Sequence, residues 1–128
     1  MPHLTIEYSA NLAKQTDLDQ LCRVLHGAMT QCGLFELGAI RVRALRADHY
    51  AIADQLPKNA FAHLILRIGA GRSTEERRRA GEMIFAAASA QLAPLFETPH
   101  FALTLEMVEI DATLSWKKNT IHPRLRAK

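Results

Sequence analysis

Four residues carry the chemistry this sequence offers: Pro2, Arg41, Arg43 and Arg72. A proline at the first residue of a strand is tolerable, because it lacks only the N–H that a sheet ladder would use. At ~5% background usage, a proline directly behind Met1 is also compatible with coincidence. The alternative is chemical: removal of Met1 would leave Pro2 as a free secondary amine, a base or nucleophile that no internal residue can supply. An α-amino group titrates at ~7.7–8.0 and a secondary amine is intrinsically higher, so a base useful near neutrality needs a partly apolar site and neighbouring positive charge. Arginines meet the second need while gripping carboxylates in bidentate fashion. A single arginine on an exposed strand face is ordinarily just solvated, so Arg41 and Arg43 decide nothing by themselves.

Arg72 lies in IGAGRS, residues 68 to 73, which joins a strand to the start of a helix. The loop has neither the Lys-Ser/Thr ending of a Walker loop nor the complete dinucleotide fingerprint with its acidic partner. What it supplies is glycine backbone, free N–H groups at a helix start and a guanidinium, the parts of an anion site. Metal chemistry has less to work with. Of the six histidines only His26 stands one helical turn from a thiol, Cys22, which makes half a site at most. Cys22 and Cys32 fall ten residues apart on one expected helix, roughly 15 Å at ~1.5 Å per residue, too far for a disulfide and consistent with core thiols in a reducing compartment. The reading expects no metal and no cofactor.

The elements that would position these residues follow from hydrophobic period. Residues 3 to 8 alternate as a strand with Leu4 and Ile6 on one face. Residues 17 to 32 have the period of a helix, with Leu18, Leu21, Cys22, Leu25 and Met29 on one side, Thr16 or Asp17 as cap and Gly33 as stop. From Ile40 the period returns to two, with Ile40, Val42 and Ala44 opposite Arg41, Arg43 and Leu45. The order then recurs: strand 61 to 68, a turn at Gly69 to Gly71, and a helix over 74 to 92 opened by a Ser73/Glu76 capping box. That helix would bury Ala80, Met83, Ile84, Ala87 and Ala88, Pro94 ends it, and a last strand runs 101 to 110.

At an offset of 60, HLTIEYSANL overlies HLILRIGAGR, so we read one domain, 1–128, built by internal duplication. Repeat one is about 1–58, repeat two about 59–112, and 113–128, with Trp116 and a KKN turn, is a hairpin arm. Two right-handed parallel β-α-β crossovers side by side predict an α+β, two-layer fold: a four-stranded sheet with two helices on one face. Its other face would be bare, and apolar residues on both sides of the third and fourth strands favour a cover made by further copies of the chain.

Bulk properties fit. The chain has 128 residues, 48% of them hydrophobic, enough for one real core. A formal charge of +3 suits anionic ligands and falls far short of a nucleic-acid arm. RRR at 77 to 79 sits among Glu75, Glu76 and Glu82 and reads as a solvated helix face, with Arg78 paired to Glu82. No stretch has the length of a membrane span or the pattern of a secretory leader, which predicts a cytoplasmic protein with neither membrane nor nucleic acid as partner.

MPH at the start, AIRVR near position 40, HLILRIGAGRS followed by GEMIF, and TLSWKKNTIHP together resemble the 5-carboxymethyl-2-hydroxymuconate Δ-isomerases of the tautomerase superfamily. The resemblance runs nearly end to end, weakest over 47 to 60 and the RLRAK ending. It implies a cofactor-free homotrimer acting in degradation of homoprotocatechuate. Such an enzyme converts 5-carboxymethyl-2-hydroxymuconate to 5-oxopent-3-ene-1,2,5-tricarboxylate. It further implies that Pro2 carries the proton and that Arg41 and Arg72 bind or polarise the substrate, with Arg43 a further candidate for substrate binding. Position 62, opposite Pro2 in the second repeat, is an alanine, so one catalytic amine per subunit is expected. Two other readings keep the scaffold: a tautomerase of another enol acid or a phenylpyruvate-like enol, and a non-catalytic trimeric module that binds carboxylates.

Overall fold

The computed structural model describes residues 1–127. Four strands, β1 (His3–Ser9), β2 (Arg41–Ala47), β3 (Ala60–Gly69) and β4 (Phe101–Ile110), form one sheet in the order β2-β1-β3-β4. β1 runs parallel to β2, β3 runs parallel to β4, and the two central strands β1 and β3 are antiparallel. Helix α1 (Leu18–Gln31) connects the first parallel pair and α2 (Thr74–Gln91) the second.

Sequence alternation decides which sheet face is covered. Leu4 and Ile6 of β1 and Ala62, Leu64, Leu66 and Ile68 of β3 are fully buried, and they share one core with Leu21, Leu25 and Met29 of α1 and Ile84 and Ala88 of α2. Both helices therefore lie on the same face, where a side chain such as leucine gains ~1.5–3 kcal/mol by burial. The opposite face carries His3, Thr5, Glu7, Arg41, Arg43, His63, Ile65 and Arg67, the residues of the other parity, set beside one another by the strand register.

Helix ends follow local chemistry. Asp17, one of the two caps expected, accepts from Gln20 N, and Gly33 ends α1 with φ +78°. Ser73 and Glu76 make the reciprocal capping box that opens α2, and Gly71 takes φ +109° in the turn before it. Pro94 falls in the 3-10 turn Ala93–Glu97 directly after α2. Where periodicity was weakest, between β2 and β3, polar contacts replace it. Buried Ser9 accepts from Phe61 N, Asn11 donates to Asn59 O at 2.7 Å, and Asn59 donates to Ile52 O and Asp54.

Three expectations are corrected. The tail is not a hairpin: a 3-10 turn, Ala112–Leu114, leads to a short helix α3 (Ile121–Arg126). Asn119 starts that helix, its Oδ1 accepting from the N–H groups of Ile121 and His122. Pro123 sits in the first turn, where the N–H it lacks would have no intrahelical partner. Residue 128, the end of the expected arm, lies outside the described residues. Arg78 pairs with Glu75, at 3.0 Å, and not with Glu82; these are exposed groups at helical spacing i,i+3, as near on the surface as i,i+4. The second strand starts at Arg41 instead of Ile40, because Ile40 closes the 3-10 turn Leu37–Ala39.

Candidate active site

Topology alone brings three distant parts of the sequence to one edge. His3 pairs with Arg41 in the parallel direction and with Arg67 in the antiparallel direction, so the start of β1 lies between the start of β2 and the end of β3. Pro2 is buried at that point, and its carbonyl accepts from Arg41 N at 3.3 Å. IGAGRS follows immediately from the end of β3 and brings Arg72 to the same edge.

Each arginine is fastened through part of its guanidinium. Arg41 donates through Nη1 to Ala39 O at 3.2 Å, and the same nitrogen lies 3.5 Å from Met1 Sδ. Arg72 donates to Gly69 O at 3.1 Å and Leu34 O at 2.9 Å, with its guanidinium over the Phe35 ring at 5.2 Å. Neither has a carboxylate within ion-pair distance among the described residues. Arg43 is placed differently: its Nη1 lies 3.2 Å from His3 Nδ1, on the helix-free face.

The terminal amine, carried by Met1, is held below its ordinary pKa by partial burial and then by Lys117, Arg72 and Arg41. Every charge in that set is positive. His3 beside it is lowered in the same sense, by burial and then by Arg43 and Arg41. The edge thus gathers positive charge around an amine that holds its proton less tightly than usual.

Pro2, Arg41 and Arg72 of the sequence reading therefore meet, and Arg43 flanks them. Lys117 was not singled out from the sequence, although its charge is the first of those that lower the amine pKa. Its only signal was its place in TLSWKKNTIHP, and no spacing argument could carry residue 117 to residue 1. A separate groove of about 540 Å³ between α2 and β4 is walled by Phe85, Leu105 and Met107, far richer in carbon than in convergent charge. It has no amine to offer.

A fused 4-OT solved as a symmetric trimer shares this fold, a mixed four-stranded sheet with both main helices on one side. That structure has a TM-score of 0.62 at 16% identity, covering 91% of this chain and 93% of its own. Closer likenesses narrow the class. A 5-carboxymethyl-2-hydroxymuconate isomerase from Deinococcus radiodurans R1 is 40% identical with TM-score 0.90, covering 98% of this chain and 94% of that one. The 5-carboxymethyl-2-hydroxymuconate Delta-isomerase of Escherichia coli is 38% identical over 122 residues, 95% of this chain and 97% of the relative. The family model for 5-carboxymethyl-2-hydroxymuconate isomerase matches residues 2–125, and the chain belongs to that isomerase family.

Proposed function

We propose that this chain isomerises 5-carboxymethyl-2-hydroxymuconate to 5-oxopent-3-ene-1,2,5-tricarboxylate through the free amine of Pro2, exposed by removal of Met1. The observation that supports it most is the meeting of the amino terminus with Arg41 and Arg72 at one sheet edge, where burial and then positive charge lower the pKa of the terminal amine, carried here by Met1. The Pro2 nitrogen takes the proton of the 2-hydroxyl. The electron pair moves along the diene, and the nitrogen returns a proton to the far carbon that bears the carboxymethyl group. One hydroxyl becomes a ketone, one C=C shifts, and no atom is gained or lost. A single base with a pKa near neutrality serves both transfers. Arg41 and Arg72 hold carboxylates and stabilise the dienolate charge, while Arg43 is a supporting substrate ligand from the flank. No metal or cofactor enters these steps.

The working unit in this reading is a homotrimer whose subunits cover one another's helix-free sheet faces, acting in the cytoplasm in homoprotocatechuate breakdown. No helix of the described residues is long and apolar enough to cross a membrane.

The test combines intact mass with ketonisation of the dienol, followed by its absorbance. Active protein should begin at Pro2, and Pro2→Ala should lower kcat by ~10² or more. Full activity in protein that retains Met1 overturns the mechanism, because Pro2 is then a tertiary amide without a basic lone pair.

A further inference from the structure

The positive set around the amine contains one group that the reaction as written leaves unused. Lys117 is exposed, yet it is the first of the charges that act on the terminal amine, ahead of Arg72 and Arg41. Its position is not that of a loose tail. Two residues on, Asn119 Nδ2 donates to Gly38 O at 2.9 Å, and His122 packs so closely on Gly38 that a Cβ there would stand 2.7 Å from Nδ1. Arg126 then pairs with Glu36. The tail is fastened over Glu36–Ala39, and the same stretch supplies the carbonyl on which the Arg41 guanidinium rests.

Resting on the function proposed above, we propose that Lys117 is the third carboxylate ligand of the site and the residue that favours a tricarboxylate dienol over a dicarboxylate one. The substrate carries three carboxylates, and Arg41 and Arg72 account for two. Gathering an ammonium, two guanidinium groups and an amine without a carboxylate among them is unfavourable in an empty site and favourable once an anion enters. With Met1 removed, the Lys117 ammonium faces the space beside the Pro2 nitrogen. There a point charge on a flexible stem can follow the carboxymethyl arm, whose direction varies more than that of the planar diene acid. Lys118, its neighbour, is not among the leading charges that act on the amine and serves as the control.

The experiment is calorimetric titration of protein that begins at Pro2 with two unreactive acids, propane-1,2,3-tricarboxylate and glutarate. Lys117→Met should weaken the tricarboxylate ~10-fold or more, the size expected for one charged hydrogen bond, and change glutarate less than ~2-fold. Lys117→Arg should restore most of the difference, and Lys118→Met should have no effect. In turnover, measured above the amine pKa, Lys117→Met should raise KM for the tricarboxylate dienol far more than KM for the dienol lacking the carboxymethyl arm, while loss of one cation beside the amine should move the pH profiles of both dienols to higher pH alike. Equal losses for both acids, no loss for either, or failure of the unaltered protein to bind the tricarboxylate each overturn the proposal. Binding needs no proton transfer, so a protein that discriminates through Lys117 yet does not ketonise the dienol refutes the reaction and upholds the ligand role.

Discussion

At the scale of single residues, the charge around the amino terminus sets a testable pH dependence. The amine pKa is lowered by burial, Lys117, Arg72 and Arg41. Once Met1 is removed the Pro2 amine takes over these surroundings and its neutral form is the working base, so kcat/KM should climb as pH rises through the pKa of that amine and level off above it. Replacing Arg41 with leucine removes one cation, lets the amine hold its proton more tightly, and should move the climb to higher pH as well as weaken binding. A pH–rate profile that does not move would separate Arg41 from the base. Arg72 should behave differently in degree. It is tied to two carbonyls and stacked on Phe35, so Arg72→Ala removes a preorganised ligand and should raise KM more than it lowers kcat.

At the scale of elements, the tail and the helix starts make separable contributions. Gly38→Ala drives a methyl group against His122, with ~1–3 kcal/mol as the usual cost of such overpacking. Hydrogen exchange should then quicken over residues 115 to 126 while β1 and β3 stay protected. Acid should have a related effect. Arg126 holds the Glu36 carboxyl below its ordinary pKa, so this attachment is present above the usual carboxylate range and is lost as pH falls through the lowered value. Glu36→Gln should remove that acid response of the tail. Ser73→Ala, which breaks the capping box of α2, should cost ~1 kcal/mol in chemical denaturation.

These elements also show what a sequence can and cannot disclose. Strands and helices with a covered face announce themselves, because Leu4/Ile6 alternate and Leu21/Leu25 recur at helical spacing, and their burial is the cause of the pattern. Cap and stop residues act within one turn, so Asp17, Gly33 and Ser73 are legible as well. The loop from 48 to 59 and the tail are built on side-chain contacts between distant residues, Asn11 with Asn59 or Asn119 with Gly38, and such pairs leave no period. The meeting of Pro2, Arg41 and Arg72 falls between these cases. Each was visible as a residue type, but the antiparallel pairing of β1 with β3 is what joins them, and it is a tertiary fact.

At the scale of the whole molecule, the helix-free face is the feature with most to explain. Ile65 and Thr5 lie at its centre, with Leu45 and Phe61 toward one end, among charges that strand register sets opposite one another. In the proposed trimer this face is covered. Ile65→Lys should therefore shift the protein toward smaller species in light scattering while circular dichroism keeps its shape, because Ile65 lies outside the buried core. A stable monomer for the unaltered protein would refute the trimer directly.

The influence of Lys117 on the amino terminus has a further consequence in time. Lys117, the tail residue that acts on the Met1 amine, is synthesised well over a hundred residues after Met1. For most of synthesis the first residue of this chain has no neighbour from the tail. Excision of Met1 meets the least obstruction in that interval, before the tail fastens over Glu36–Ala39. The order of translation thus separates a step that needs an open terminus from a structure that encloses it.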